Sequence, residues 1–149
     1  MAGNLKQRLI KAGRDFNYAE GIKVKNSDAA NSIAANTVVC VQGHEGIFLK
    51  VKVARGGTAL ETTGRLHITK HEIPAGGYGV VLPWKLVTGL SNAADAGAPT
   101  NIGTEVYLHG DGKWSTTSSS GRKIGVVVTV GTGATSTDGA VLLCGEGHK

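Results

Sequence analysis

The side chains able to do chemistry are few and scattered. Five histidines, His44, His67, His71, His109 and His148, are the candidate metal ligands. His67 and His71 stand four apart, a spacing that brings two imidazoles together on a helix but holds them ~13 Å apart along a strand. Residues 65–73, RLHITKHEI, read as strand, so this pair shares a face without chelating one ion. The histidines therefore read as exposed or interfacial, and no metal or other cofactor is expected. Cys40 and Cys144 both fall inside apolar strand runs and read as buried thiols, with a disulfide between neighbouring strands left open. The serines concentrate in turn-like tracts and none sits in a G-x-S-x-G motif. The 11 acidic residues are scattered without a local acid–base signature. Gly131-Thr132-Gly133 follows a strand but opens no helix, so it reads as a turn rather than a phosphate loop. No catalytic residue is assigned. Trp84 follows Pro83 and Trp114 follows an Asp-Gly turn. Indole faces stack on sugars, and the other reading is that both tryptophans serve core or subunit packing.

Composition narrows the classes. Of 149 residues, 40% are apolar and 18% charged, which excludes wholesale disorder. The longest apolar stretches, such as Ile124 to Val130, fall far short of the ~20 residues a membrane helix needs, so no membrane partner is expected. The first residues are basic but lack an apolar core, so no secretory signal is read. Two cysteines rule out a disulfide framework. Charge is unevenly placed. Residues 1–25 hold six cationic residues against Asp15 and Glu20, a net of +4; the whole chain is +5, which leaves +1 for residues 26–149. A nucleic-acid-binding body would show a clustered basic face, so no nucleic acid is expected. A basic arm that meets an acidic surface fits instead.

These side chains must be carried by strands. Leu5, Leu9 and Ile10 are spaced like one face of a short helix closed by Gly13, too short to stand alone in water. Phe16, Tyr18 and Ile22 alternate with polar neighbours, as in an extended strand. Residues 1–25 are thus read as a basic N-terminal arm, and residues 26–36, NSDAANSIAAN, as a linker. From residue 37 the pattern is strand after strand: 37–42, 46–54, 65–73, 78–87, 105–109, 113–116, 123–130 and 140–144. Pro83 marks an edge strand or a bend, and Gly110-Asp111-Gly112 a hairpin turn. Many of the 23 glycines lie between the β-prone runs. The fold class is all-β: a small β-barrel or sandwich of about eight short strands over residues 37–149, with an extended N-terminal arm.

The stretch Val106 to Cys144 carries a resemblance. It runs VYLHGDGKWSTTSSSGRKIGVVVTVGTGATSTDGAVLLC: a "VYL" strand, an Asp-Gly-Lys-Trp hairpin with a Ser/Thr-rich tail, Gly-Arg-Lys-Ile-Gly-Val-Val-Val, a Gly/Thr loop, and a closing Ala-Val-Leu-Leu strand. This resembles the head-decoration, or capsid cement, proteins of tailed bacteriophages. The likeness covers about a quarter of the chain closely and residues 37–105 more loosely. It implies a non-enzymatic virion protein on the outer surface of the head, assembled in the host cytoplasm. It further implies a homotrimer that bridges neighbouring subunits of the major capsid protein. On that reading the arm supplies capsid contacts through Leu5, Leu9, Ile10, Phe16 and Tyr18, with Lys6, Arg8, Lys11 and Arg14 facing acidic capsid residues. Trp84 and Trp114 become trimer or surface contacts.

Two other classes are weighed. A glycan- or receptor-binding module would use Trp84, Trp114, Tyr78 and Tyr107 near polar loops. Aromatic residues are only 5% of the chain, which is low for a lectin-like site. A trimeric β-barrel enzyme would need Asp, His and polar residues gathered at a cleft between subunits, and no motif supports it.

Overall fold

Period-two alternation decides the architecture, because each strand has two different faces to satisfy. The computed structural model describes residues 21–55, 65–94, 101–117, 122–130 and 139–145. Five strands close into a barrel in the order β1 (Ile22–Asn26), β3 (Phe48–Val53), β2 (Val38–Glu45), β4 (Leu66–Thr69), β5 (Tyr78–Leu82). β1 runs parallel to β3 and antiparallel to β5, which closes the ring. A second, five-stranded sheet has the order β6 (Trp84–Thr88), β10 (Ala140–Cys144), β9 (Lys123–Thr129), β7 (Glu105–Leu108), β8 (Trp114–Ser115). The all-β class read from the sequence is the class observed.

β2 shows how one strand serves two cores. Val39 and Val41 point into the barrel with Val24, Val51 and Val81, while Val38 and Cys40 point outward against the second sheet. The outward group joins Leu66 and Ile68 of β4 to Val87, Val106, Leu108, Trp114, Ile124, Val141 and Leu143 of the second sheet. One apolar layer therefore fastens the two sheets together. Pro83 sits between β5 and β6, where the chain leaves the barrel for the second sheet. It is the bend the sequence marks there, and it splits the 78–87 run in two.

The described residues hold ten strands rather than about eight, because β1 is added and the 78–87 run is split, and two stretches differ from their sequence reading. The first is β1. Residues 22–25 were assigned to the arm, yet Ile22 and Val24 pack inside the barrel. The basic residues that suggested an arm, Lys23 and Lys25, alternate with them on the outside. The Lys23 ammonium lies 5.6 Å from the centre of the Phe48 ring, and Lys25 lies 5.9 Å from that of Tyr78. The second is the stretch read as a linker. Its one large apolar residue, Ile33, is buried and exchanges two backbone hydrogen bonds with Ile73, at 2.9 and 2.8 Å. Asn26 holds this loop from below: its amide donates to Asn31 O (2.8 Å) and Pro74 O (3.2 Å), and its carbonyl accepts the Asp28 amide. Residues 26–36 thus pack against the barrel instead of spacing it from an arm. β2 also continues to Glu45, beyond the expected Gln42, because a two-residue turn at Gly46-Ile47 pairs Glu45 with Phe48.

An ion pair ties β1 to the β2 end of this hairpin. Lys25 Nζ is 2.6 Å from Glu45 Oε2. The hydrogen bond and charge of Lys25 hold the Glu45 carboxyl below its usual range, and the Glu45 hydrogen bond holds the Lys25 ammonium above its own. The Glu45 contribution is present above its ordinary carboxylate value and is lost as pH falls through the lowered one. The Lys25 contribution is present below its ordinary value and is lost as pH rises through the raised one. Urea midpoints at pH 7 and pH 3 are expected to fall less in Glu45→Gln than in the unmodified chain. Equal falls would mean that the pair contributes nothing.

Candidate functional site

Two surfaces stand out. The first is a cleft of about 620 Å³ where the 27–34 loop, the end of β3 and the 110–112 turn meet. Its charged lining is mixed: Lys52, Arg55 and Lys113 against Asp28 and Asp111. Arg55 Nε lies 3.4 Å from Asp111 Oδ1, with both side chains largely exposed. Asp28 is a turn-former. Its carboxylate accepts from the Asn31 side chain (3.0 Å) and from the Ala30 and Asn31 amides (2.8 and 3.1 Å). Those bonds, the Asn31 side chain first, hold its carboxyl below the usual range. A general acid working near neutrality needs the opposite shift. What this cleft offers is a hydrogen-bonding rim. Asn92 stitches one side of it, donating from Nδ2 to Asn36 O and Gly112 O at 2.8 Å each.

The second surface is the outer face of the five-stranded sheet. Directly paired residues share a face, and the registers Leu86↔Leu142↔Val126 and Trp84↔Cys144 place five apolar side chains together. Trp84 and Leu86, on the edge strand β6, are 50% and 52% exposed. Toward β7 the face turns polar. The Tyr107 hydroxyl donates to Glu105 Oε2 at 2.5 Å, and Lys123 Nζ lies 2.6 Å from Glu105 Oε1. The hydrogen bond to Glu105 raises the Tyr107 phenol above its usual value. Lys85, between Trp84 and Leu86, points the other way. Its Nζ donates to Thr69 O (3.2 Å) and Lys70 O (3.0 Å), and burial pushes its ammonium down.

The expected site residues fall in different places. Leu5, Lys6, Arg8, Leu9, Ile10, Lys11, Arg14, Phe16 and Tyr18 lie outside the described residues. Trp84 is half-exposed on the outer face of the second sheet. Trp114 is not: it is 2% exposed and belongs to the layer between the sheets, with its indole N–H donating to Ser91 O at 2.8 Å. The reason is register. Trp114 pairs with Leu108, and both point inward. The four aromatics of the glycan reading do not converge. Trp114 is buried, and Tyr78 lies on the barrel against Phe48, ring centres 5.1 Å apart. Trp84 and Tyr107 stand three strand spacings apart, roughly 14 Å. His67 is buried on the barrel side of β4, opposite Val39, while His44, His71 and His109 are exposed and His148 lies outside the described residues. Gly131-Thr132-Gly133 lies outside them too. Among the described residues, no three His, Cys, Asp or Glu side chains group as metal ligands would. Cys40 is buried, Cys144 is half-buried, and the two form no disulfide.

Sequence reading missed the apolar outer face, although a signal was there. A strand with one wet face alternates, whereas one apolar on both faces reads as a continuous run. Ile124 to Val128 and Ala140 to Cys144 are such runs, and Trp84 and Leu86 add the third strand. No protein-family model, no curated protein and no solved structure matches this chain.

Proposed function

We propose that this chain is a structural virion protein of the capsid-decoration kind. It binds the outer surface of a phage head as a homotrimer and braces contacts between major capsid protein subunits, with no bond made or broken. The observation that carries the reading is the order of strands and turns over residues 106–144, preceded in the chain by a basic arm. That segment supplies four of the five strands of the second sheet.

The energetics suit a shared load. Burying one large apolar arm side chain contributes roughly 1.5–3 kcal/mol. Fixing each arm residue costs roughly 1–2 kcal/mol of backbone entropy. The two nearly cancel, so the arm does not hold on alone and the barrel adds a second contact. Three linked copies then gain roughly 10²–10⁴-fold in avidity without new contacts.

Mixing the purified protein with heads that lack decoration tests this. Saturable binding at a fixed stoichiometry is expected, together with a trimer mass by light scattering. A chain lacking residues 1–18 is expected to bind more weakly while keeping its β circular dichroism. Absence of saturable binding sinks the function, and undiminished binding by the shortened chain removes the arm from it.

A further inference from the structure

Charge counted along the chain leaves only +1 for residues 26–149, yet folding gathers cations on one face of the barrel. The five barrel strands carry four lysines, Lys23, Lys25, Lys50 and Lys52, and a single acidic residue, Glu45. Their neighbours Ile22, Val24, Leu49, Val51 and Val53 pack on the barrel core, so period two sets all four lysines outside. β1 and β3 run parallel with Lys25 directly beside Lys50. The outer face therefore holds two adjacent columns, Lys23 and Lys25 on one strand, Phe48, Lys50 and Lys52 on the other. Side chains within a column repeat every ~6.6 Å. Like charges placed side by side destabilise a sheet. Glu45 answers Lys25 at 2.6 Å, and Lys50 draws on the same carboxylate. Four cations against one carboxylate leave this face at +3.

Two features select the partner. The first is apolar: Ile47, 92% exposed, stands at the hairpin tip beside Phe48, and half-exposed Tyr78 leans on the Phe48 ring. The second is how those rings are used. A single nucleic-acid strand stacks its bases on open aromatic faces. Phe48 and Tyr78 instead meet edge to face, with the Lys23 and Lys25 ammonium groups over them. A polypeptide needs no such platform. In an extended chain, alternate side chains fall on one face every ~6.6 Å, which is the repeat of the lysines. An apolar residue beside such an acidic run covers Ile47.

We propose that the outer β1–β3 face of the barrel is a docking surface for an extended acidic segment of a partner protein. Alternate carboxylates lie along Lys50, Lys52 and Lys23, an apolar side chain lies on Ile47, and Lys25 stays with Glu45. On the capsid reading this face is the second contact that the barrel adds to the arm. The proposal rests on that reading only for the partner's identity, and the face is tested without heads.

The isotope-labelled full chain is titrated with a peptide of about twelve residues, alternating Glu and Thr with leucine at one end, and followed by amide shifts. The same peptide with Gln for Glu and a single-stranded thymidine oligonucleotide of equal length are the comparisons. Shifts centred on β1 and β3, with the Gln peptide silent, are expected. The Lys23→Gln/Lys50→Gln chain is expected to bind about three- to tenfold more weakly. No binding, shifts centred elsewhere, or equal binding of the Gln peptide overturns the proposal. So does an oligonucleotide that binds as tightly, because the face then reads polyanions. Should the variant lose its fold, salt decides on the unmodified chain. Raising it from about 50 to about 300 mM should weaken binding several-fold, and unchanged affinity overturns the proposal. Saturable binding to heads without peptide binding moves the contact off this face and leaves the capsid reading standing. Peptide binding without binding to heads keeps the face and removes the capsid.

Discussion

Replacing Trp114 with alanine is expected to destabilise the chain by about 3–5 kcal/mol, the range for truncating a buried tryptophan. The indole is 2% exposed and packs among residues of both sheets. Its N–H donates to Ser91 O, its backbone N–H donates to Asn92 O at 3.1 Å, and its carbonyl accepts from Ala94 at 2.8 Å. The side chain thus fills the layer between the sheets, and its peptide groups anchor the 91–94 turn. Native domains carry only about 5–15 kcal/mol of stability, so this one change removes a large share. Trp114→Phe separates the two parts. It keeps most of the apolar volume and loses the indole hydrogen bond, for an expected cost of about 1–3 kcal/mol. Urea unfolding followed by circular dichroism measures both. A cost below about 1 kcal/mol for the alanine variant would return Trp114 to the trimer or surface contact that the resemblance implies.

That misplacement shows where the sequence is legible and where it stops. Strand against helix was readable because β-branched runs alternate with Gly- and Ser-rich turns, and that signal is local. The Asp-Gly turn was readable for the same reason, and so was the bend at Pro83. Which face of a strand meets the core is not local. Trp114 and Trp84 each follow a turn signal and differ in fate only through register, Trp114 against Leu108 and Trp84 against Cys144. β1 was lost to the arm because Lys23 and Lys25 were counted as charge, when alternation with Ile22 and Val24 already described a half-buried strand. The long-range pairing of β1 with β3 and β5, which closes the barrel, leaves no mark in the residues themselves. Pattern alone leaves open a barrel, a sandwich, or the barrel-plus-sheet found here. The surfaces follow the same rule. A basic N-terminal stretch announces itself by composition, whereas the apolar outer face exists only once three strands are set side by side.

The joint between the two sheets supplies the second large effect. Gly110 and Gly112 flank Asp111 in one short turn, yet alanine at the two positions is expected to act oppositely. At Gly110 an added Cβ meets nothing within 4 Å. Gly110→Ala should be neutral or stabilise by up to about 1 kcal/mol, by narrowing the unfolded ensemble. At Gly112 the backbone is left-handed, with φ 69°, and a Cβ would press on Thr37 Cγ2 and lie 2.6 Å from Val38 O. The left-handed conformation costs an alanine about 1–2 kcal/mol, and overpacking adds about 1–3 kcal/mol. The turn has no room to retreat. The Gly112 amide donates to Ala54 O at 2.8 Å, and its carbonyl accepts from Asn92. Relief would have to break one of these bonds, and both join the turn of the second sheet to the barrel end or to the 91–94 turn. Gly112→Ala is therefore expected to cost about 2–5 kcal/mol and to loosen one sheet from the other. A gap of less than about 1 kcal/mol between the two variants in urea unfolding would mean that the turn is not docked on β2. This turn is thus a point at which the chain holds its two layers together.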